Sequence, residues 1–230
     1  MPCLMVFSFG WSWEFVSRAI VSRGGVSESD LVVLVAPLGG VSVEEERYRR
    51  AVDAVKRFVL NIGGREPVEV SVNANVEFED LVASVSRELS KLLPGFTCVE
   101  FYLIGGMRLL VLALLFSALI LQGLGVKVEV YGGPENLPRV TRIPISSLGA
   151  TMRFTRRQIE LLRNLIALGE ARSGSLGSSV GVDPSTARRF LERFVGRGLV
   201  LKSRRGPRIV YKATGIAKAI VVLHDSIAKS

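Results

Sequence analysis

Cysteine and histidine are scarce in this chain of 230 residues, which contains two cysteines and one histidine. Two cysteines are too few for a disulfide framework or a structural zinc site, so we expect Cys3 and Cys98 to be buried free thiols. His224 falls in a predicted C-terminal helix, where we expect a packing or surface role. The sequence shows no metal-binding cluster and no paired nucleophile and base, so we predict no catalytic residue, no metal and no cofactor.

The sequence also lacks the signatures of several nucleotide enzymes and of membrane proteins. Phe9-Gly10-Trp11 follows the first predicted strand in place of G-x-G-x-x-G, which argues against dinucleotide redox chemistry. The sequence also contains no Walker A motif. The apolar run 109–121 is shorter than the roughly 20 residues that cross a bilayer, so it predicts a helix buried on nearly every face. Glu14 interrupts the apolar N-terminus. We therefore expect no signal peptide, no membrane partner and a cytoplasmic protein.

Positive charge is confined to the end of the chain. Residues 1–150 contain 14 Lys and Arg and 16 Asp and Glu, whereas residues 151–230 contain 16 and 5, a net charge of +11. So much positive charge in eighty residues points to a polyanionic partner, for which double-stranded DNA is the first candidate. An anionic membrane surface is the competing partner, but it would require a basic amphipathic helix or an anchor.

Short apolar strands and amphipathic helices alternate through the first 131 residues. The five predicted strands cover 3–9, 31–36, 67–72, 98–104 and 126–131. Strict alternation of this kind predicts an α/β fold, a doubly wound, Rossmann-like parallel sheet with strand order 3-2-1-4-5. Ser12, a capping box at 42–45, and Asn75 are expected to cap the first three helices. A short further strand is expected around 140–145, within a Gly- and Pro-rich segment that leads into a linker.

The predicted order places the first and fourth strands side by side at the point where the sheet reverses direction. Ligands of such sheets bind in the crevice beyond the carboxyl ends of those strands, so the turns that follow them should converge there. Two glycines after the fourth strand bring bare backbone to a helix start, which favours an anion, and Arg108 lies in that first turn. The candidate ligand residues are Ser8, Phe9, Gly10, Trp11, Gly105, Gly106, Met107 and Arg108. The alternative is a tight turn in which Arg108 pairs with a carboxylate such as Glu100.

The basic segment has the layout of a winged helix-turn-helix. A capping box at 155–158 starts one helix, residues 175–180 form a short second helix, and Asp183 with Pro184 starts a third. Two strands at 199–203 and 208–212, joined by a basic turn at 204–207, form a wing, and a last helix covers 214–227. The sequence therefore predicts an α+β domain that binds duplex DNA.

Arginine dominates the solvent side of the third helix of this segment, where Glu192 is the one acidic residue. A solvated helix face, the alternative, usually mixes both signs of charge. We therefore expect DNA contacts from Ser185, Thr186, Arg188, Arg189, Arg193, Lys202, Arg204, Arg205 and Arg208. The helix arginines are candidates for guanine edges, and those of the wing for phosphates or the minor groove.

The motifs and their order resemble the CRISPR-associated Rossmann-fold (CARF) transcription regulators of archaeal type I-A systems, which join a CARF domain to a winged helix. Ile104-Gly105-Gly106-Met107-Arg108 is similar to the second ligand motif of that family, and Ser8-Phe9-Gly10-Trp11 is similar to the first. The departure from the pattern is Trp11 and Trp13, bulky residues in and beside the first loop, which could stack on adenine or obstruct the site.

The resemblance implies a CARF-like sensor at 1–135, a linker at 136–152 and a winged helix-turn-helix domain at 153–230. It also implies a homodimer that binds a cyclic oligoadenylate, first of all cyclic tetra-adenylate, and regulates a CRISPR promoter in antiviral defence. Two alternatives stay open. One is a ring nuclease or phosphodiesterase that uses the same crevice, and the other is a transcription regulator that senses another nucleotide or a metabolite.

Overall fold

The computed structural model describes residues 1–38, 42–133, 140–145 and 154–228, with the side chains of 42–44 left aside. The first part of the chain forms a six-stranded sheet in the order β3-β2-β1-β4-β5-β6. Its strands are β1 (Cys3–Ser8), β2 (Leu31–Pro37), β3 (Val68–Val72), β4 (Cys98–Leu103), β5 (Val128–Gly132) and β6 (Thr141–Ile143). The first five are parallel and β6 is antiparallel to β5. The doubly wound sheet, its order and the short sixth strand confirm the sequence prediction.

Helices cover both faces of this sheet, because alternate residues of each central strand point to opposite sides. The helices are α1 (Trp13–Arg23), α2 (Ser42–Asn61), α3 (Phe78–Leu92) and α4 (Arg108–Gly123). Met5 and Phe7 of β1 pack in the cluster that includes residues of α1 and α2, whereas Leu4 and Val6 pack in the cluster with α3 and α4. Every residue of β1 is buried, as expected for a central strand of a two-sided layer.

Three helix predictions need correction. Helix α4 is not buried on every side, since Leu109 and Leu112 are 47% and 45% exposed. Ser12 stands at the N-cap of α1, but its hydroxyl donates to the Glu14 carboxylate and caps no backbone N–H. Helix α3 begins at Phe78 after Glu77, so Asn75 does not cap it. The capping box predicted at 42–45 falls largely on side chains outside those described.

The prediction of free thiols is wrong, because Cys3 and Cys98 form a disulfide. The two residues are partners in the register between β1 and β4, with their Cα atoms 4.8 Å apart, within the range that a disulfide can bridge. Beside them, the Asp30 carboxylate accepts the Cys3 N–H at 2.9 Å and pairs with Arg23 at 3.1 Å. Arg23 also donates to Glu100 at 2.7 Å. This charged cluster lies at the amino ends of the strands.

The last part of the chain is a helical unit with a small antiparallel sheet. Its elements are α5 (Arg156–Leu168), β7 (Glu170–Ala171), α6 (Ser173–Val180), α7 (Pro184–Gly196), β8 (Val200–Arg205), β9 (Arg208–Ala213) and α8 (Gly215–Ile227), with sheet order β7-β9-β8. The predicted capping box at Thr155 and Gln158 is confirmed, as is the Asp183 cap of α7. The two-residue strand β7 was not predicted. Only Gly206 and Pro207 form the turn of the wing, because Arg204 and Arg205 belong to β8.

The C-terminal helix α8 packs against α3 and α4 of the first unit as well as against α5 of its own. The Gly215 N–H donates to the Glu79 carboxylate at 3.1 Å, and the Ser226 hydroxyl donates to the Ser90 carbonyl. A Cβ at Gly215 would lie 2.3 Å from the Glu79 carbonyl oxygen, so the two helices approach as closely as a glycine permits. The final helix therefore joins the two units.

The predicted linker, 136–152, falls outside the described residues except for 140–145, which hold β6. Among the described residues, no helix combines the length and the apolar character that crossing a membrane requires.

Candidate ligand and nucleic-acid sites

The turns after β1 and β4 meet in direct backbone contact at the carboxyl edge of the sheet. Gly106 has a φ of 78°, and a Cβ there would lie 2.9 Å from the Phe9 carbonyl oxygen. A Cβ at Gly10 would lie 3.2 Å from the Gly106 backbone. The Ser8 hydroxyl bridges the turns, donating to the Tyr102 carbonyl at 3.3 Å and accepting the Gly105 N–H at 3.4 Å. The glycines are therefore required for the two turns to approach each other, apart from any role in ligand binding.

A cavity of about 1220 Å³ opens where these turns meet. Seven of the eight predicted ligand residues line it: Ser8, Phe9, Gly10, Trp11, Gly105, Gly106 and Met107. The structure therefore brings together two motifs that lie about a hundred residues apart in the sequence. This cavity exceeds the roughly 300–1,000 Å³ of a usual small-molecule site, so it has room for a ligand larger than one nucleotide.

Arg108, the eighth predicted residue, is the first residue of α4 and has an exposed side chain. Among the described residues it lies outside the cavity lining and pairs with no carboxylate. Glu100, the partner of the alternative interpretation, is bonded to Arg23 and to the Tyr102 hydroxyl. The structure therefore does not form the Arg108–Glu100 pair, and Arg108 directly follows Met107, which lines the cavity.

Residues of α2 and β3, which the sequence did not single out, also line the cavity. Arg47 and Tyr48 line it from the start of α2, with Glu69 and Ser71 from β3. The Tyr48 ring packs edge-on against Phe9, and burial together with the Glu69 carboxylate raises the pKa of Tyr48 to about 12. Tyr48 precedes the apolar helical stripe that begins at Ala51. The helical periodicity therefore gave no signal that these positions face a site.

The predicted DNA residues lie on α7, β8 and β9, and most of them are exposed. A groove of about 750 Å³ runs between the start of α6, Arg188 of α7, and Arg205 and Pro207 of the wing. Helix α7 presents Arg188, Arg189 and Arg193, while Arg208 opens β9. Arg189, Arg193 and Arg208 form no ion pair within the described residues, so their charge is available to an external anion.

Five of the other six predicted DNA residues, all but Arg188, already have partners within the protein. The Ser185 and Thr186 hydroxyls donate to the Asp183 carboxylate, which also accepts both backbone N–H groups. Lys202 pairs with Glu192 at 2.7 Å and Arg205 with Glu170 at 2.9 Å, while Arg204 donates to the Gly206 carbonyl. These bonds fix the helix start and the wing, so a DNA contact from these side chains requires exchange of a partner.

The sequence matches the family model of the Csa3 CRISPR-associated Rossmann-like domain over residues 3–144. The chain belongs to this family. A second match, to the MarR family, covers residues 154–206 of this Csa3-type chain. The pairing confirms a CARF domain followed by a DNA-binding winged-helix domain, and it fits a CRISPR-associated transcription regulator.

Solved structures give weaker similarities to the Csa3-type chain, and no curated protein matches it. VC1899 from Vibrio cholerae is 14% identical, with 99% of this chain and 67% of that one covered and a TM-score of 0.39. Enterococcus italicus Csm6, bound to cyclic hexa-2'-fluoro-hexa-dAMP, is 10% identical, with coverage of 87% and 55% and a TM-score of 0.44. RV1404 from Mycobacterium tuberculosis is 18% identical, with coverage of 51% and 68% and a TM-score of 0.30. The family assignment therefore rests on the two sequence matches.

Proposed function

We propose that this protein is a ligand-responsive transcription regulator of a CRISPR locus. Its crevice binds a cyclic oligoadenylate, first of all cyclic tetra-adenylate, and its winged helix binds promoter DNA. The observation that carries the proposal is the backbone contact between the turns at Gly10 and Gly106, beside a cavity of about 1220 Å³. The two family motifs of the resemblance lie on those turns.

The chemistry of the crevice suits an anion. Helix α4 begins directly after Gly105 and Gly106, and no acidic residue lies in its first turn to neutralise its positive dipole end. No side chain caps this helix start, so its first backbone N–H groups are left for a ligand. Arg108 adds a positive charge at the rim. A phosphodiester would therefore gain charge-assisted hydrogen bonds, which are the stronger kind.

A homodimer is part of the proposal. Leu109 and Leu112, the large apolar side chains exposed near the start of α4, are close in sequence to Arg108 and the ligand turn. Exposed leucines on the same helix face favour burial against a second copy. A symmetric cyclic nucleotide on the two-fold axis would then meet the same turn and the same arginine from each chain.

The proposed signal passes through helix packing. Helix α4 starts at the ligand turn and packs against both α3 and α8. Helix α8 follows the wing directly, and the Thr214 hydroxyl before it donates to the Leu199 carbonyl at 3.0 Å. A ligand that favours one position of α4 would therefore bias the position of the DNA-binding unit, which is what a coupling free energy between two sites requires.

Calorimetry with cyclic tetra-adenylate tests the ligand, the site and the dimer together. We expect binding at one ligand per two chains, and about ten- to a hundred-fold weaker binding by Arg108→Ala, because a charge-assisted hydrogen bond is lost. Lys127→Ala is the matched control, since Lys127 is exposed and immediately precedes β5, at the opposite edge of the sheet.

Four results would each contradict a different part of the proposal. Equal binding by wild type and Arg108→Ala would reject the role of Arg108, and one ligand per chain would reject the shared site. If wild type binds no cyclic tetra-adenylate, the ligand is another nucleotide or a metabolite. Recovered ligand should be intact, because no nucleophile paired with a base is found among the described residues of the crevice. A linear product would instead indicate a ring nuclease.

A further inference from the structure

Both tryptophans of the chain are at the mouth of the cavity, and neither is needed to fill the core. Trp11 is 53% exposed and Trp13 is 36% exposed, whereas the rings of Phe7 and Phe9 beneath them are buried. An exposed indole gains little from the hydrophobic effect where it stands. Its flat face is nevertheless available for stacking on another planar group.

A cation from a different element stands over the more exposed tryptophan. The Arg47 guanidinium carbon, at the start of α2, lies 5.9 Å from the centroid of the Trp11 ring. This distance is close to the upper limit of about 6 Å for a cation–π contact, so Arg47 covers the indole face only in part.

Arg47 differs from the other arginines nearby. Arg49 and Arg50 pair with Glu45 and Glu46 on the same helix. Within the described part of the chain, Arg47 pairs with no carboxylate. Its charge is therefore not neutralised at the position where it lines the cavity.

We propose that Trp11 and Arg47 form a base-and-phosphate subsite, in which the indole stacks on a purine base and the guanidinium binds the adjacent phosphate. The inference rests on the proposed function and deepens it, because it adds Arg47 of α2, which neither ligand motif contains, and assigns a base contact to Trp11 of the first motif. The turns at Gly10 and Gly106 offer backbone donors, which bind phosphate oxygens but do not recognise a base. Trp11 supplies the base contact and Arg47 a further phosphate contact, so the ligand class is a nucleotide with an unpaired, accessible base.

The size of the cavity agrees with two distinct subsites. One nucleotide phosphate at the helix start would leave much of the 1220 Å³ unused. Residues near the start of α2 line the cavity, and so does Met107, directly before α4. A base held on the α2 side and a phosphate on the α4 side would span that opening.

Tryptophan fluorescence offers a direct test, because the chain contains just two tryptophans. The full-length protein is titrated with cyclic tetra-adenylate, linear tetra-adenylate and adenosine 5'-monophosphate. Trp13→Phe, which leaves Trp11 as the sole reporter, should keep most of the quenching seen in wild type. Trp11→Phe should lose most of it and still bind, within a few-fold of wild type by calorimetry, because a phenyl ring also stacks.

Truncation of either member of the subsite should weaken binding. Trp11→Ala should lose about ten- to a hundred-fold in affinity, since stacking of a base on an aromatic ring contributes about that much. Arg47→Ala should lose about ten-fold, and Arg47→Lys should recover part of the loss. Arg57→Ala is the matched control, because Arg57 is an exposed arginine of the same helix outside the cavity lining, and it should bind as wild type does.

The outcomes separate this inference from the proposed function. Wild-type affinity in both Trp11→Ala and Arg47→Ala, together with weak binding by Arg108→Ala, would overturn the subsite and leave the proposed function standing. Quenching that is lost in Trp13→Phe and kept in Trp11→Phe would also overturn it. If wild type binds none of the three probes, the subsite is wrong and so is the adenylate ligand of the proposed function, whereas the proposed DNA binding is unaffected. Circular dichroism spectra that match wild type would show that each variant is folded.

Discussion

Asp30 is a buried carboxylate at the amino ends of the strands, 3% exposed. Burial by itself raises the pKa of Asp30, but hydrogen bonds from the Ser27 and Cys3 backbone and the Ser27 hydroxyl, with the charge of Arg23, outweigh it. The net result is that the pKa of Asp30 lies below its usual value in the folded protein. Asp30 is therefore more easily ionised in the folded chain than in the unfolded chain, and its ionisation stabilises the folded state.

The sign of this shift fixes the pH dependence of stability. A carboxyl whose pKa is lowered by folding stabilises the protein above its unfolded pKa, about 3.9 for aspartate, and that contribution is lost as pH falls through the folded pKa. We expect Asp30→Asn to lower the free energy of unfolding by about 2 kcal/mol at pH 7, because Arg23 loses one of its two carboxylate partners and keeps Glu100. The difference between the variant and wild type should shrink below pH 3.

Urea unfolding at pH 7 and at pH 2.5 measures both effects. Glu28→Gln provides the control, since Glu28 is an exposed carboxylate two residues away, and it should change stability by less than about 0.5 kcal/mol. A constant difference between Asp30→Asn and wild type at the two pH values would show that the charge of Asp30 is not what stabilises the cluster.

The contacts of single residues were harder to predict from the sequence than the helices and strands. The caps at Thr155 and Asp183 were correct, because a capping box and an Asp-Pro pair depend on neighbours within three residues. The disulfide was missed, since Cys3 and Cys98 become partners only through the register of β1 with β4. Arg47 was missed for the same reason, as its position over Trp11 depends on how α2 crosses the sheet.

At the scale of elements, helix α7 and the wing carry the DNA prediction. Arg193 and Arg208 are exposed and have no ion pair within the described residues, so each can neutralise a phosphate. We expect Arg208→Ala to weaken DNA binding at all sequences alike and to reduce the slope of log K against log salt by about 0.9. This is tested by fluorescence anisotropy with a promoter duplex, at salt concentrations from about 50 to about 300 mM.

Arg65 provides the matched control for the DNA experiment. It is an arginine of the CARF domain, far in sequence from the basic unit, and its guanidinium lies over the Phe96 ring. Arg65→Ala should leave both the affinity and the salt slope unchanged. An unchanged slope in Arg208→Ala as well would remove the wing from the DNA interface.

Most elements could be predicted because the period of apolar residues is a local property. Strict alternation of apolar strands and amphipathic helices gave the parallel sheet, and right-handed crossovers then gave its order. The start of α3 was misplaced, since no side chain caps it and Asn75 offered a false signal. Strand β7 was missed because a two-residue strand has no period of its own.

At the scale of the whole molecule, the contact between α8 and α3 decides whether the two units can move together. Gly215 allows that contact, because a Cβ there would lie 2.3 Å from the Glu79 carbonyl oxygen. We expect Gly215→Ala to push α8 away and to uncouple DNA binding from the ligand. Coupling of this kind is usually about 5- to 150-fold, and it should fall towards unity in the variant.

Measurement of DNA affinity with and without saturating cyclic tetra-adenylate tests the coupling. Lys218→Ala, at an exposed position of the same helix, should respond to the ligand as wild type does. If Gly215→Ala keeps both the fold and the full effect of the ligand, the signal does not pass through α8. Linkage requires DNA to change the ligand affinity by the same factor, which gives an independent check.

The division of the molecule into an acidic and a basic unit was evident from charge alone, but the path of the final helix was not. Its apolar residues predicted a helix, and nothing in its sequence indicated that it would pack on a unit more than a hundred residues earlier. Such long-range contacts are set by the whole fold rather than by local periodicity.

Because α8 packs against α3 and α4, the winged-helix unit cannot be exchanged independently of the rest of the molecule. A hybrid that grafts another winged helix onto this CARF domain would expose the surfaces of α3 and α4 that α8 covers, unless the donor's last helix presented matching small residues. Conversely, we expect a chain cut between Ile145 and Phe154 to give two fragments held together by the contacts of α8 with α3 and α4.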